Sequence, residues 1–427
     1  MTPAIQSLVL PTLTNAFCEE TVRQEARRKG VVQRQGKVDA YGLLVVVVLG
    51  LVMRGPTAIA QLGQTFSRMT GTRLARSSFW YRFNPGMAAL VQGVLDRVVS
   101  DARQASARPP GVLSVFKDVL AADATVMKVN DALRPVWRGT RRNSARAALK
   151  VHAWIRVLTG ELVKYTVTQE AHADSRAFGI DPQLRGVLVL FDRGYASPSL
   201  WRRIDSVGGF FLTRVPSKWN QTIVSEHRKH RGRARRLVGQ SLQEAFIHLK
   251  RTIVDVDVEF LCRIRGYGGM ESRQEMKRFR VVAIRHPQTD EFGLFATNAP
   301  AHMLAAEDIY QVYRLRWEVE TFFKTLKSGC AANEFPSSKP HIVEILLYAG
   351  LLRAALAMRA KAQQTWSLIR RINHGQWMHW WNRQLPAALV ELVGITESPL
   401  STKQLLILLS DPNQGRLPTR FSFGATP

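Results

Sequence analysis

The sequence predicts an α/β protein whose sheet-forming middle is flanked by helical regions at both ends. Three observations predict it. Apolar segments of strand length alternate with helical patterns from about 113 to 214, and Val254-Asp255-Val256-Asp257-Val258-Glu259-Phe260 alternates strictly, marking a β-rich insertion at about 215–300. Residues 1–112 and 331–427 carry helical patterns with few β-branched runs outside Val45–Val48. At 427 residues, 46% of them hydrophobic, the chain is too long for one ordinary core, so two or three domains are expected.

Taken in order, Tyr41–Met53 reads as a buried helix and Arg54-Gly55-Pro56 as punctuation. From Thr57 to Phe83 two short helical patterns flank Thr70-Gly71-Thr72, the second rich in basic and aromatic residues. That order suits a helix-turn-helix reader of a DNA groove, and equally a plain helical subdomain. Ala107-Arg108-Pro109-Pro110-Gly111 breaks the pattern as a linker does. Val119–Val129, Ala148–Leu158 and Glu161–Thr168 then read as successive strands joined by short turns such as Thr159-Gly160. A helix near Ser175, the apolar strand Gly186–Phe191, a helix from about Ser197 and the strand Gly209–Arg214 follow. The order is β-β-β-α-β-α-β, a hairpin sheet that acquires parallel strands through helical crossovers. Arg278–Arg285 and Phe292–Thr297 add strands to the insertion, and residues 302–329 return to helix.

Sixty Lys and Arg against 33 Asp and Glu leave a net charge of +27, with a pI near 10.8. A compact fold carrying that excess repels itself, so a polyanionic partner is expected, nucleic acid before an anionic membrane or acidic protein. Cys18, Cys262 and Cys330 form no Cys-x-x-Cys pair, which excludes a disulfide framework and a zinc ribbon and fits a reducing cytoplasm. The N-terminus shows no signal peptide, and Tyr41–Met53 falls short of the roughly 20 residues that cross a bilayer. A soluble, cytoplasmic, nucleoid-associated protein with no membrane contact is the expectation.

Acidic residues at otherwise apolar strand positions are costly unless they bind something, which makes them the candidates for chemistry. Asp123 lies inside Val119-Leu120-Ala121-Ala122-Asp123-Ala124-Thr125-Val126-Met127, as a ligand or as an edge-strand surface residue. Asp192 ends the run Val187-Leu188-Val189-Leu190-Phe191, at the strand end where open α/β sheets place ligands; the alternative is a helix N-cap. A third comes from helical geometry over Tyr313–Lys327. At about 100° per residue, with Tyr313 at zero, Arg316, Glu320 and Lys327 fall at roughly 300–340°, whereas Leu315, Val319, Phe322 and Leu326 occupy roughly 180–240°. Glu318 lands near 140°, so Glu320 is the acidic member of the polar row. The plain alternative is an amphipathic helix with an ordinary Arg316–Glu320 salt bridge.

Tyr313-x-x-Arg316-x-x-x-Glu320-x-x-x-x-x-x-Lys327 resembles, position for position, the Tyr-Arg-Glu-Lys signature of DDE transposases of the insertion sequence 4 family. Asp192-Arg193-Gly194-Tyr195 looks like that family's second-aspartate motif, Asp123-Ala124-Thr125 is similar to its first, and Gly209–Arg214 resembles the strand that follows. The resemblance spans roughly 113 to 330. It implies a ribonuclease-H-like catalytic core over 113–330 with the β insertion inside it, a helical DNA-binding domain over 1–112, and a helical C-terminal region over 331–427 suited to dimerisation. It implies further that Asp123, Asp192 and Glu320 are catalytic and hold two Mg²⁺, with Mn²⁺ able to substitute, and that Tyr313, Arg316 and Lys327 grip phosphates near the cut end. The implied partners are double-stranded DNA, as transposon ends and target, and a second copy of the chain in a synaptic complex. In relatives that pass through a DNA hairpin an aromatic of the insertion stacks on a flipped base; Phe292 is the candidate counterpart here, but the Trp that the family pattern expects is not in place.

Other clusters read more plainly. Asp255, Asp257 and Glu259 form a solvated strand face rather than a metal site. Arg228, Lys229, Arg231 and Arg233, in the run His227–Arg236, read as a loop over DNA phosphates, as do Arg138, Arg141, Arg142 and Arg146, with a solvated surface loop as the alternative; Arg193 joins the DNA-binding set. His172 and Asp174 read as a helix cap, with a place near the site as the alternative, and Trp377, Trp380 and Trp381 as core or dimer contact rather than a base-stacking platform. A tyrosine recombinase is disfavoured, because no suitably placed second arginine and tyrosine accompany the His-x-x-Arg of His248-Leu249-Lys250-Arg251. A ribonuclease-H-like nuclease and a non-catalytic DNA-binding derivative of a transposase are the remaining rivals.

Overall fold

β-branched and aromatic runs in the middle of the chain pair into one large sheet. The structure, a computed structural model, describes residues 5–32, 38–50, 59–72, 75–105, 108–140, 146–177, 179–216, 218–227, 236–247, 249–264, 273–329, 334–335, 337–364 and 374–392. Its strands are β1 (Asp118–Val129), β2 (Ala148–Arg156), β3 (Leu162–Gln169), β4 (Val187–Phe191), β5 (Phe210–Arg214), β6 (Ile223–Glu226), β7 (Ile253–Ile264), β8 (Arg273–Arg285), β9 (Phe292–Thr297) and β10 (Glu334–Phe335). Their order is β3-β2-β1-β4-β5-β9-β8-β7-β6, with β10 paired to the end of β1.

The helices are α1 (Leu10–Ala16), α2 (Glu19–Arg28), α3 (Ala40–Gly50), α4 (Ile59–Thr70), α5 (Arg76–Trp80), α6 (Pro85–Gln104), α7 (Asp174–Ala177), α8 (Pro198–Ser206), α9 (Leu242–Phe246), α10 (Ile309–Arg314), α11 (Trp317–Gly329), α12 (Pro340–Ala362) and α13 (His374–Leu392). The chain divides into two compact units. One comprises Met1–Ala102, Met127–Leu149 and Phe322–Pro427; the other comprises Arg103–Val126 and Lys150–Thr321. A mixed α/β architecture with a large sheet and flanking helices is therefore the observed fold class.

In the second unit, β4 is buried at all five positions, the signature of a strand covered on both faces, and it pairs in parallel with β1 and with β5. The crossover from β4 to β5 is α8, whose buried Leu200 and Trp201 lie one turn from the buried Ile204. Trp201 stacks on Phe211 at 5.0 Å and meets Phe260 and Phe279 edge-on, so a single indole joins the crossover to the parallel strands and to the insertion. The insertion is an antiparallel meander, β6-β7-β8-β9, and β9 returns to pair with β5.

Two of its elements, β6 and α9, were not anticipated from sequence. The sequence did carry a signal for α9, because Ser241-x-x-Glu244 forms a full capping box. Helix in 302–329 begins only at Ile309.

The acidic face of β7 departs from expectation. Asp255 is buried, 4% exposed, and binds Arg280 through two contacts of 2.7 and 2.8 Å. Arg280 also donates to the carbonyls of Ala299 and Leu304, so the chain after β9 covers this part of the strand and removes it from solvent. Asp257 bonds Ser225 and His227, and Glu259 bonds Arg278. Each acid on this face has a protein partner.

In the first unit, α3 is buried at every position and packs on α12 and α13. Trp377 and Trp381 are buried, and Trp377 donates to the carbonyl of Ala357 at 2.7 Å, so these indoles belong to the core. Helix α12 is long and apolar enough to cross a membrane, yet 83% of that window is buried inside the fold. Gly71, at φ +66°, separates α4 from α5, which buries Phe79 and leaves Trp80 and Tyr81 exposed.

Removing one partner of the buried Asp255–Arg280 pair strands a charge. Asp255→Ala is expected to lower unfolding stability by about 3–5 kcal/mol in urea titrations, and the double change Asp255→Leu with Arg280→Met by much less. Equal losses in the two variants would show that the pair's charge balance is not what matters.

Candidate active site

Register decides where the first two aspartates meet. Strand β1 pairs with β4 from Asp118↔Val187 to Ala122↔Phe191, so the next position on each strand is an aspartate, Asp123 beside Asp192. Strand β1 has neighbours on both sides, which removes the edge-strand reading of Asp123. Asp192 occupies the N-cap position of the short 3₁₀ turn Arg193–Tyr195, but its side chain makes no capping hydrogen bond. The Asp192 carboxylate is thus not committed to capping. Its backbone is held from β5, where the Thr213 hydroxyl donates to its carbonyl at 3.3 Å.

Glu320 comes from the Tyr313–Lys327 segment, whose geometry differs from one continuous helix. Helix α10 ends at Arg314, Leu315 and Arg316 form a turn, and α11 starts at Trp317. The Leu315, Arg316, Glu318 and Val319 amides each bond the carbonyl three residues back, so the chain tightens here and a uniform 100° rotation does not hold. The polar row nevertheless stays together. The Arg316 guanidinium lies 5.8 Å from the Tyr313 ring and bonds Glu320 Oε1 at 2.5 Å. Val319, Phe322 and Leu326 form the expected core stripe.

Arg316 also reaches Asp123, with Nη1 3.6 Å from Oδ2, and so bridges the first and third carboxylates. The Asp123 carboxyl is pushed up to about 6, first by burial and further by the negative charges of Asp192 and Glu320, against the Ala124 amide at 2.7 Å and the Arg316 charge. The charges of Asp192 and Glu320 thus both reach Asp123. Burial, partly offset by Arg316, raises the Tyr313 hydroxyl to about 12, so it remains a neutral donor.

Among the described residues no three Asp, Glu, His or Cys groups are gathered closely enough to hold an ion as they stand. The donor set nevertheless fits a hard divalent cation, since three carboxylates carry a charge that one guanidinium leaves in excess.

The remaining expected residues fall out as follows. Arg193 is exposed immediately after Asp192. Lys327 is half-buried in the last turns of α11, on the stretch that belongs to the other unit. Arg228, Lys229, Arg231 and Arg233 lie outside the described residues, as do Arg141, Arg142, His248 and Cys330. Phe292 is not a free aromatic: it stacks on Phe246 at 4.8 Å under the Arg285 guanidinium at 4.7 Å, half-buried against the core.

Two groups were missed. Arg214, exposed at the end of β5, adds a cation whose charge acts on Tyr313. Lys150 bonds Asp174 Oδ1 and the His172 carbonyl, both at 2.9 Å, and Asp174 acts electrostatically on Tyr195 behind Asp192. Lys150 and His152 are polar residues in an apolar strand, the very signal that marked Asp123.

Asp123 makes a stability prediction with a definite sign. Its folded carboxyl binds a proton more readily than the unfolded one, so stability falls as pH rises from about 4 to about 6. Asp123→Asn should remove that slope and raise stability at neutral pH by on the order of 2 kcal/mol, read from urea melts across pH. An unchanged slope in the variant would count against the burial of this charge.

Comparisons with known proteins bear on the family of the chain. Residues 115–356 match the transposase DDE domain family. The transposase for insertion sequence element IS231E of Bacillus thuringiensis subsp. finitimus is 21% identical over 367 residues, covering 80% of this chain and 76% of that protein. The transposase for IS231F of Bacillus thuringiensis subsp. israelensis is 22% identical over 371 residues, with the same coverage. Among solved structures, a chain of the cryo-EM structure of the piggyBac transposase synaptic complex with hairpin DNA aligns at TM-score 0.48 and 10% identity, over 98% of this chain and 88% of that one. The family match includes more than half of the residues, so the chain belongs to the transposase DDE domain family: it is an enzyme that cuts and transfers DNA and depends on divalent metal.

Proposed function

We propose that this enzyme is the transposase of an insertion sequence of the insertion sequence 4 kind. It binds the terminal inverted repeats, cleaves the DNA at the ends and joins the freed 3′ ends to target DNA. The observation that carries the reading is the β1–β4 register, which sets Asp123 beside Asp192; the Arg316 guanidinium, in contact with both Glu320 and Asp123, supports adding the third carboxylate. The strand order β3-β2-β1-β4-β5 supports a ribonuclease-H-like core, and the Tyr313, Arg316 and Glu320 grouping supports the Tyr-Arg-Glu-Lys signature, with Lys327 as its last member.

In this reading Asp123, Asp192 and Glu320 hold two Mg²⁺, for which Mn²⁺ substitutes. Bound there, the cations would stabilise the attacking and leaving oxygens of an in-line displacement at phosphorus. The chain's residues do the rest. Tyr313 offers a neutral hydroxyl and Arg316 a guanidinium to phosphates at the cut end, with Arg193 and Lys327 beside them in the DNA-binding set. Arg228, Lys229, Arg231 and Arg233 extend that set along the backbone. Two displacements suffice: water breaks the phosphodiester and frees a 3′-hydroxyl, which then attacks a target phosphodiester. A homodimer holding both ends completes the synaptic complex.

The test uses duplexes carrying the DNA that flanks this reading frame. Nicking and strand transfer should require Mg²⁺ and fall at least about a thousandfold in Asp192→Asn and in Glu320→Gln, as expected when a metal-centred step is lost. Full cleavage in EDTA would sink the metal mechanism. A separate measurement concerns the +27 charge. Duplex affinity should fall steeply with salt, by about 10³-fold or more between 50 and 200 mM, and a flat dependence would show that the basic surface does not meet phosphates.

A further inference from the structure

We propose that Arg316 is a built-in counter-cation that keeps the carboxylate site closed to metal until a DNA phosphate draws its guanidinium away, so that DNA and metal bind cooperatively through this side chain. The inference rests on the reading of Asp123, Asp192 and Glu320 as the metal site and adds to it a device that controls entry.

Three observations carry it. The guanidinium spans two of the three carboxylates, with Nη2 2.5 Å from Glu320 Oε1 and Nη1 3.6 Å from Asp123 Oδ2. It therefore occupies one oxygen of Glu320 and lies against one of Asp123, and the carboxylates are not gathered for an ion in this arrangement. The side chain is only 11% exposed, so a divalent ion arriving beside it would meet an unscreened like charge. Its posture is also incomplete, because Nε is buried and finds no hydrogen-bond partner among the described residues. A guanidinium has five donors, and a phosphate accepts in the same planar fork that carboxylates do. Turning to a phosphate would satisfy the buried donor and release Asp123 and Glu320 together. Arg316 stands in the turn between α10 and α11 rather than inside a helix, next to Tyr313, the other residue read as a phosphate contact.

Linkage makes the proposal measurable: if DNA tightens metal binding, metal tightens DNA binding by the same factor. Full-length protein is titrated with Mn²⁺, the free ion followed by its electron paramagnetic resonance signal, with and without a short blunt duplex of arbitrary sequence. In the wild type the duplex should tighten Mn²⁺ binding about tenfold or more, and Mn²⁺ should tighten duplex binding equally. Arg316→Met should bind Mn²⁺ about tenfold more tightly than wild type without DNA, and its duplex effect should shrink at least about fivefold. Arg316→Lys keeps the charge but cannot span both carboxylates, so its Mn²⁺ affinity without DNA should lie between the two, which preserves the test if the Met variant does not fold.

Wild-type Mn²⁺ affinity in the Met and Lys variants, or a full duplex effect in either, overturns the proposal. Asp192→Asn and Glu320→Gln separate the two levels. If they bind Mn²⁺ as the wild type does, the carboxylate reading falls and the proposal with it. If they lose Mn²⁺ while both Arg316 variants behave as wild type, the proposal alone falls.

Discussion

The parallel pairing of β1 with β4 is the constraint on which the rest of the site depends. Both strands are apolar runs buried on two faces, and a slip of one residue would turn every side chain to the opposite face of the sheet. The register that buries Val119, Leu120, Ala121 and Ala122 against Val187–Phe191 is the register that sets Asp123 next to Asp192. Packing and chemistry are thus selected by the same hydrogen bonds. The third carboxylate enters from elsewhere, on a segment that changes from α10 to α11 through a tightened turn, and it is tied back to β1 by a single guanidinium.

Three of the second unit's ionic groupings, each built on a half-buried or buried arginine, differ in how fully they are satisfied. Arg156 bonds Asp118, Glu161 and the Ala105 carbonyl, and Arg280 bonds Asp255 and two carbonyls; these charges are 2–13% exposed. Each guanidinium there is held by several acceptors at once, which is how a buried ion pair avoids an uncompensated desolvation cost. Arg316 with Asp123 and Glu320 is 11–27% exposed and leaves a buried Nε–H without an acceptor. A closed network resists rearrangement, whereas a half-satisfied one is available to a better partner.

Much of this was legible in the sequence, for physical reasons that differ by element. Strands β4 and β5 were readable because continuous apolar runs ending in a polar residue have few other solutions, and Asp192 stood out against Phe191. Glu320 was separable from Glu318 because helical periodicity is local information. The break at Leu315-Arg316 was not readable, since no Gly or Pro marks it and three-residue tightening leaves no trace in composition. Asp255 looked solvated because alternation says which residues share a face; the loop carrying Ala299 and Leu304 that covers that face comes from forty residues later. The Arg316–Asp123 contact joins positions nearly two hundred residues apart, and nothing in a single sequence records such a pairing.

The insertion leaves the core after β5 and returns through β9, and these two strands are antiparallel neighbours, with Arg214 opposite Phe295. Entry and exit therefore sit side by side on one edge of the parallel strands. A segment attached in that way adds or loses length at its far end without moving the points of attachment, because closing its ends together costs little more as it grows. The distance in sequence between Asp192 and Glu320 is for this reason a free variable of the architecture. The meander can thus change what it carries while Asp123, Asp192 and Glu320 keep their places.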